Sequence, residues 1–187
     1  MKNRLWGMKC YVVGAMDRAN DGGVEWRDKV TPTLENLGVV VLNPCNKPIS
    51  IGQEQGEVRE VRNKLKENKE YDELSKLIRL IRIVDLRMVD MCDFVIFNLD
   101  TTVHTCGSYE EVFWANRMKK PVLLVCKQGK DNVPDWLFGT LPHEHMFNNM
   151  DECVEYLYHV AFDENVKHYK RWMFFDYSRM QPDRTEL

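Results

Sequence analysis

Residues 38–44 read Gly38-Val39-Val40-Val41-Leu42-Asn43-Pro44: a glycine stop, four consecutive apolar residues and a turn signal. An apolar run this short, with no polar residue alternating through it, is the pattern of a strand covered on both faces, as in a parallel sheet. The residues upstream supply what such a sheet needs. Cys10-Tyr11-Val12-Val13 is a second strand-like run, ending in Gly14 and a polar, glycine-containing loop over 17–23. Between the two runs, Trp26, Val30, Leu34 and Leu37 recur at helical spacing, and Gly38 stops the helix.

Downstream the alternation of strand and helix continues. Residues 43–56 hold two prolines and two glycines and read as a long loop at the carboxyl end of the strand, the kind of loop that often carries function. Residues 57–73 are charge-rich and read as a solvated helix. Leu74, Leu77, Ile78, Ile81, Met88 and Cys92 then share one helical stripe that runs into a third strand over 94–99. A loop over 100–107, a helix over 108–119, a fourth strand over 121–126 and an amphipathic helix over 151–162 complete the pattern. The fold class expected is α/β: a single domain over 1–187, a doubly wound Rossmann or flavodoxin-like parallel sheet with flanking helices. Ligands of such sheets bind outside the carboxyl ends of the strands. Residues 127–187 form a C-terminal extension, within which the pattern of the basic, aromatic stretch 167–177 assigns no structure.

Composition narrows the function. With 26 Lys+Arg against 29 Asp+Glu, a net charge of -3 and a pI of about 6.0, the chain lacks the basic excess of proteins that neutralise duplex DNA. Any nucleic-acid-related ligand is therefore expected to be small. Its apolar runs fall short of the roughly 20 residues that cross a bilayer, and Lys9 interrupts the only candidate signal segment, so no membrane partner is expected. The six cysteines stand singly, which suits a reducing, cytoplasmic compartment. No G-x-G-x-x-G, P-loop or G-x-S-x-G occurs, and His143-x-His145 lacks a third ligand, so neither a cofactor nor a metal is expected.

Two acids stand out. Asp85 falls within the arc of Ile78, Ile81, Met88 and Cys92, whereas Asp90 projects to the opposite, solvent side. An aspartate on an apolar stripe is either paired structurally or part of a site. Glu111 also has two readings. Ser108-x-x-Glu111 is a capping-box pattern at a helix start, where the dipole favours an acid. The same helix starts at the carboxyl end of a central strand, where Glu111 and Asp85 would make the carboxylate pair that glycosidic chemistry requires.

Four segments in order resemble the nucleoside 2-deoxyribosyltransferase-like superfamily, which includes hydrolases of nucleoside 5′-monophosphates. They are Tyr11-Val12-Val13-Gly14-Ala15-Met16, Gly38 through Pro44, Asp85-x7-Asp93 followed by Phe94-Val95-Ile96-Phe97, and Gly107-Ser108-x-x-Glu111-x-x-x-Ala115. Phe113 stands where the family often has a second glycine. Thr105 and Cys106 stand where it has an acid, a role Asp100 would take from upstream. The resemblance implies a retaining double displacement: Glu111 attacks C1′ of a 2-deoxyribosyl group, Asp85 protonates the departing base, and Tyr11 orients Glu111. It also implies that Gly14, Met16, Asp17, Asp100, Gly107 and Ser108 bind the substrate, with the loop from Met16 to Gly23 closing over it. The alternatives are a deoxynucleoside 5′-monophosphate N-glycohydrolase and a non-catalytic nucleotide-binding module.

The aromatic residues between Trp136 and Phe147, together with Trp172, Phe174, Phe175 and Tyr177, are more large apolar side chains than a small monomer leaves uncovered. The family resemblance adds a site shared between subunits, so a homodimer or higher homo-oligomer is expected. Light scattering at micromolar concentration checks this: a mass at least twice 22.2 kDa is expected.

Overall fold

The computed structural model describes residues 3–163 and 171–174. Five parallel strands, β1 (Lys9–Gly14), β2 (Val40–Leu42), β3 (Phe94–Leu99), β4 (Val122–Cys126) and β5 (Met146–Phe147), lie in the order β2-β1-β3-β4-β5. The helices between and after them are α1 (Val24–Asn36), α2 (Glu57–Glu67), α3 (Tyr71–Met91), α4 (Cys106–Arg117), the short α5 (Asp135–Phe138) and α6 (Met150–Phe162). This is the flavodoxin-like strand order, with its reversal between β1 and β3.

Each face of the sheet carries its own core. Tyr11, Val13, Val95, Phe97 and Leu99 pack against Val84 and Met88 of α3 and Val112 and Ala115 of α4. Their strand neighbours Cys10, Val12, Phe94 and Ile96 point the other way, onto Val30 and Leu34 of α1 and Leu157 and Val160 of α6. Consecutive residues of a strand face opposite sides, so the central positions of β1 and β3 need apolar residues in an unbroken run. The run that opens at Gly38 behaves differently. Among the described residues β2 is the edge strand, paired only with β1, and its Val40 is half-exposed.

Several boundaries shift for local reasons. The charge-rich segment 57–73 divides in two, because Lys69 takes a left-handed conformation (φ 60°) between α2 and α3. Ile78, expected on the buried stripe of α3, is exposed, and the buried face is Ile81, Val84, Asp85, Met88 and Val89. Asp90 is half-buried, and its Oδ1 accepts a hydrogen bond from Trp114 Nε1 at 2.8 Å, so it does not simply face solvent. β5, with only two residues, has no recognisable sequence pattern.

The surface aromatics also divide. Trp136 is 80% exposed, but Leu137, Leu141, Met146 and Phe147 are core residues. Trp172 is buried against Phe94, with ring centroids 5.2 Å apart, and so belongs to the interior. Phe175 and Tyr177 lie outside the described residues. No helix among the described residues is long and apolar enough to cross a membrane.

Phe97 is fully buried on β3 and meets Tyr109 edge-on at 5.8 Å. Phe97→Ala is expected to cost about 3–5 kcal/mol, read by urea unfolding as a lower midpoint at an unchanged slope.

Candidate active site

The alternation of β1 turns Tyr11 toward α3 and α4, where burying a phenol obliges its hydroxyl to find a partner. The partner is Glu111: Tyr11 Oη donates to Glu111 Oε1 at 2.8 Å. The helix start that brings Glu111 there is not the capping box of the sequence pattern. α4 begins at Cys106, two residues before Ser108, and Thr105 occupies the capping position, its hydroxyl donating to Ser108 Oγ at 2.6 Å. Ser108 is therefore inside the helix and buried, and Glu111 lies in the second turn, bound to the sheet instead of to the helix end. Gly107, the second residue of α4, has open space where a Cβ would stand.

Asp85 is buried on α3, as its place on the apolar stripe requires. Lys47, from the loop after β2, pairs with it: Nζ lies 2.7 Å from Asp85 Oδ1 and donates to Glu54 Oε1 at 2.8 Å and Gly52 O at 2.6 Å. The contact with Asp85 is an ion pair off the hydrogen-bond axis, since Oδ1 has no aligned donor. Burial pushes the Asp85 carboxyl up to about 8, the charges of Glu54 and Glu111 add to the effect, and Lys47 opposes it. Burial likewise pushes Glu111 up to about 7; the Tyr11 hydrogen bond acts against this, Glu54 adds to it, and Arg27 and Lys47 oppose it. Tyr11 is raised well above its ordinary value by burial and by Glu111.

The remaining sequence-selected residues surround the ends of β1 and β3. A Cβ on Gly14 would stand 3.0 Å from the Trp26 ring and 3.1 Å from Asn98 O, so the strand end admits only glycine without displacement. Met16 is half-buried. Asp17 is exposed and bound to Arg62 at 2.6 Å, which docks the loop after β1 onto α2. Burial would raise Asp100, but donors from Thr102, Gln128 and Lys127 prevail and hold it at about 2.

A cleft of about 480 Å³ opens beside these residues, lined among others by Ala15, Trp26, Asn98, Asp100, Thr102 and Lys127. Tyr11, Asp85 and Glu111 do not line it, because they belong to the α3/α4 face of the sheet. The selected residues thus form two groups, a carboxylate cluster on the α3/α4 face and a cleft beside the ends of β1 and β3.

Three residues of the cluster and its support were not singled out by the sequence: Lys47, Glu54 and Arg27. A lone lysine in a loop reads as solvated, so Lys47 has no sequence signal. Arg27 has one, since it precedes Val30 and Leu34 at helical spacing on the buried face of α1. Its guanidinium donates to Val12 O at 3.1 Å, Gly14 O at 3.1 Å and Gly23 O at 2.5 Å, and stands 4.6 Å from the Trp26 ring. Gly23 takes a left-handed φ of 78°, and a Cβ there would lie 2.3 Å from Ala15 O, so Arg27 and Gly23 together shape the loop after β1. His145, of the His143-x-His145 pair, shares a hydrogen bond with Tyr156 through Nε2 at 3.0 Å.

Neither a protein-family model nor a curated protein sequence matches the chain. Solved structures do match. A 2-deoxyribosyltransferase from the psychrotolerant bacterium Bacillus psychrosaccharolyticus aligns with a TM-score of 0.51 at 14% identity, over 89% of this chain and 97% of that one. The chain has the fold of a 2-deoxyribosyltransferase. A 2-desoxiribosyltransferase from Leishmania mexicana aligns with a TM-score of 0.40 at 20% identity over 64% of this chain, which spans 65% of that enzyme's length. A CMP N-glycosidase from Clostridium botulinum aligns with a TM-score of 0.43 at 18% identity, over 80% of this chain and 97% of that one.

The raised carboxyls make stability depend on pH in a defined direction. A group whose acid form is favoured by folding binds its proton in the native state when the unfolded chain has released it, so stability falls as pH rises through that window. For Asp85 the window runs from the ordinary aspartate value of 3.8 to about 8. Asp85→Asn is expected to flatten the fall in melting temperature across this range, measured by thermal denaturation at a series of pH values.

Proposed function

We propose that the protein cleaves the N-glycosidic bond of 2′-deoxyribonucleosides and transfers the sugar, through a covalent ester on Glu111. The observation that carries this reading is the hydrogen bond from buried Tyr11 to Glu111, with a second carboxyl, Asp85, that burial pushes toward its acid form. These are a nucleophile and an acid with distinct environments. In the first step a Glu111 oxygen bonds to C1′ as the C1′–N bond breaks, and the Asp85 proton goes to the departing base nitrogen. In the second step an incoming base nitrogen or a water oxygen attacks C1′ and gives its proton to Asp85, and Glu111 leaves as the carboxylate. Two displacements on one carbon retain its configuration.

The division of labour follows from the environments. Burial raises both carboxyls, and they differ in their partners: Asp85 faces the Lys47 ammonium, Glu111 the Tyr11 hydroxyl. The Tyr11 hydroxyl, and not the helix start, favours the ionised form of Glu111. The open space at Gly107 gives room for a sugar against α4, and Asp100 in the cleft supplies acceptors for its hydroxyls. A second reading, hydrolysis of deoxynucleoside 5′-monophosphates, draws on Arg18, Lys29 and Lys127 in the cleft wall, cations suited to a phosphate. The solved structure from Bacillus psychrosaccharolyticus that shares the fold is a 2-deoxyribosyltransferase, in keeping with the first reading.

Incubation with deoxynucleosides and their 5′-monophosphates, with and without a free acceptor base, tests the proposal. Base release from nucleosides and base exchange are expected; release from monophosphates alone favours the second reading, and binding without release refutes both.

Glu111→Gln keeps the side-chain volume and an acceptor for Tyr11, so turnover is expected to drop by about a thousandfold or more with little change in melting temperature. A loss of stability with activity retained would make Glu111 a structural residue. Asp85→Asn is expected to harm substrates with poor leaving bases far more than those with acidic, activated bases. An equal loss across a leaving-group series would remove the general-acid role.

A further inference from the structure

Lys47 lies on the loop after β2, yet its side chain is 0% exposed. A lysine is almost never buried without partners, and this one has three oxygens about its ammonium: the acceptors Gly52 O and Glu54 Oε1 at 2.6 and 2.8 Å, and the ion-paired Asp85 Oδ1 at 2.7 Å. The loop is pressed onto α3 where this happens. Gly52 takes a left-handed φ of 68°, and a Cβ on it would stand 2.8 Å from Val84 Cγ2, on the residue next to Asp85. Backbone packing and the ammonium therefore place Glu54 and Asp85 on the same cation.

The charges do not balance within this group. Asp85 faces Lys47 and Glu54 from the loop and Glu111 from α4, while Tyr11 of β1 is tied to Glu111. Arg27 on α1 acts on Glu54 and Glu111, but its donors are occupied by backbone carbonyls. One ammonium thus serves a site of three carboxylates, two of them in direct contact with it. Retaining a proton in the group relieves the excess negative charge, and the geometry decides how strongly each neighbour bears on Asp85.

We propose that Lys47 is a positioning residue, clamped between Glu54 and Asp85, whose charge and the opposing charge of Glu54 together set how firmly Asp85 holds the proton it delivers. The inference rests on the reading of Asp85 as the acid. A lysine that merely fastened the loop would leave the titration of Asp85 where it was. A lysine and a glutamate that set it must move it in opposite directions when each is neutralised. Lys47→Met removes the attraction that favours the ionised carboxyl, and Glu54→Gln removes the repulsion that disfavours it.

The test is the pH profile of kcat/KM for deoxynucleoside cleavage in the wild type, K47M and E54Q. Activity that needs protonated Asp85 declines on the alkaline side as the proton is lost. That limb is expected to move up by about 1–3 pH units in K47M and down by a similar amount in E54Q. Limbs that stay in place, or that move in the same direction, would overturn the proposal.

Difference infrared titration of the carboxylic-acid stretch in the unliganded protein, with D85N as the blank, reads the same opposed shifts without any substrate. If K47M does not fold, the downward shift in E54Q decides alone, because Gln preserves the shape of Glu54. Opposed infrared shifts in a protein that cleaves no nucleoside or nucleotide would refute the proposed function while leaving the control of the Asp85 proton intact. Cleavage with unmoved titrations would refute the role of Lys47 alone.

Discussion

Helices cover both faces of β1 and β3, and this constraint governs where polar chemistry can stand in the molecule. The interior positions of those strands are apolar on each face, so a polar side chain there must bring its partner with it. Tyr11 is the one phenol among the β1 residues, and its partner is a carboxylate presented from α4. That hydrogen bond ties the central strand to the helix after β3. Asn98 is a buried polar side chain of β3, and it lies against the cleft.

The electrostatics follow from the same enclosure. Asp85, Glu111 and Glu54 are brought together with a single ammonium in a region with little water, where a carboxylate is poorly stabilised and like charges are weakly screened. The result is a pair of carboxyls that release their protons near neutral pH, and each is distinguished by what touches it. Glu111 has a hydroxyl donor; Asp85 has a lysine shared with a competing carboxylate. Under the proposed function, environments that separate two otherwise similar acids let one site contain both a nucleophile and a proton carrier. Asp100, held ionised by four donor contacts at the cleft, has the opposite environment and is suited to accept hydrogen bonds.

The loops after β1 and β2 show how the site is assembled from parts that are weakly structured on their own. Arg27 reaches back from α1 to three carbonyls around Gly14 and Gly23, fixing the β1 loop from within. Arg59 and Arg62 of α2 hold the same loop from outside, through Asp17 and the carbonyls of Asp17 and Ala19. Gln55 Nε2 joins the two loops through Gly22 O at 3.0 Å. A loop pinned at both sides costs less ordering on binding a ligand than a free one.

The sheet was legible from local sequence because its signals are local: unbroken apolar runs for β1 and β3, helical spacing for α1 and α6, and Asp85 exposed as anomalous by the apolar stripe that surrounds it. Order and spacing of short motifs carried the fold resemblance. What the sequence left open were quantities that depend on contacts distant along the chain. Whether Ser108 or Thr105 stands at the capping position is a matter of where α4 starts against the sheet, which the S-x-x-E pattern shares with any helix start. Whether Glu111 serves the helix or the strand is decided by Tyr11, 100 residues earlier. Lys47 carries no mark of burial in its own neighbourhood; only the packing of Gly52 on Val84 brings it to Asp85. Sequence alone therefore determined which strands and helices form and which acid is out of place, because burial patterns are written in residue periodicity. Tertiary structure alone decided which charges meet, because pairing depends on the approach of segments that periodicity does not relate.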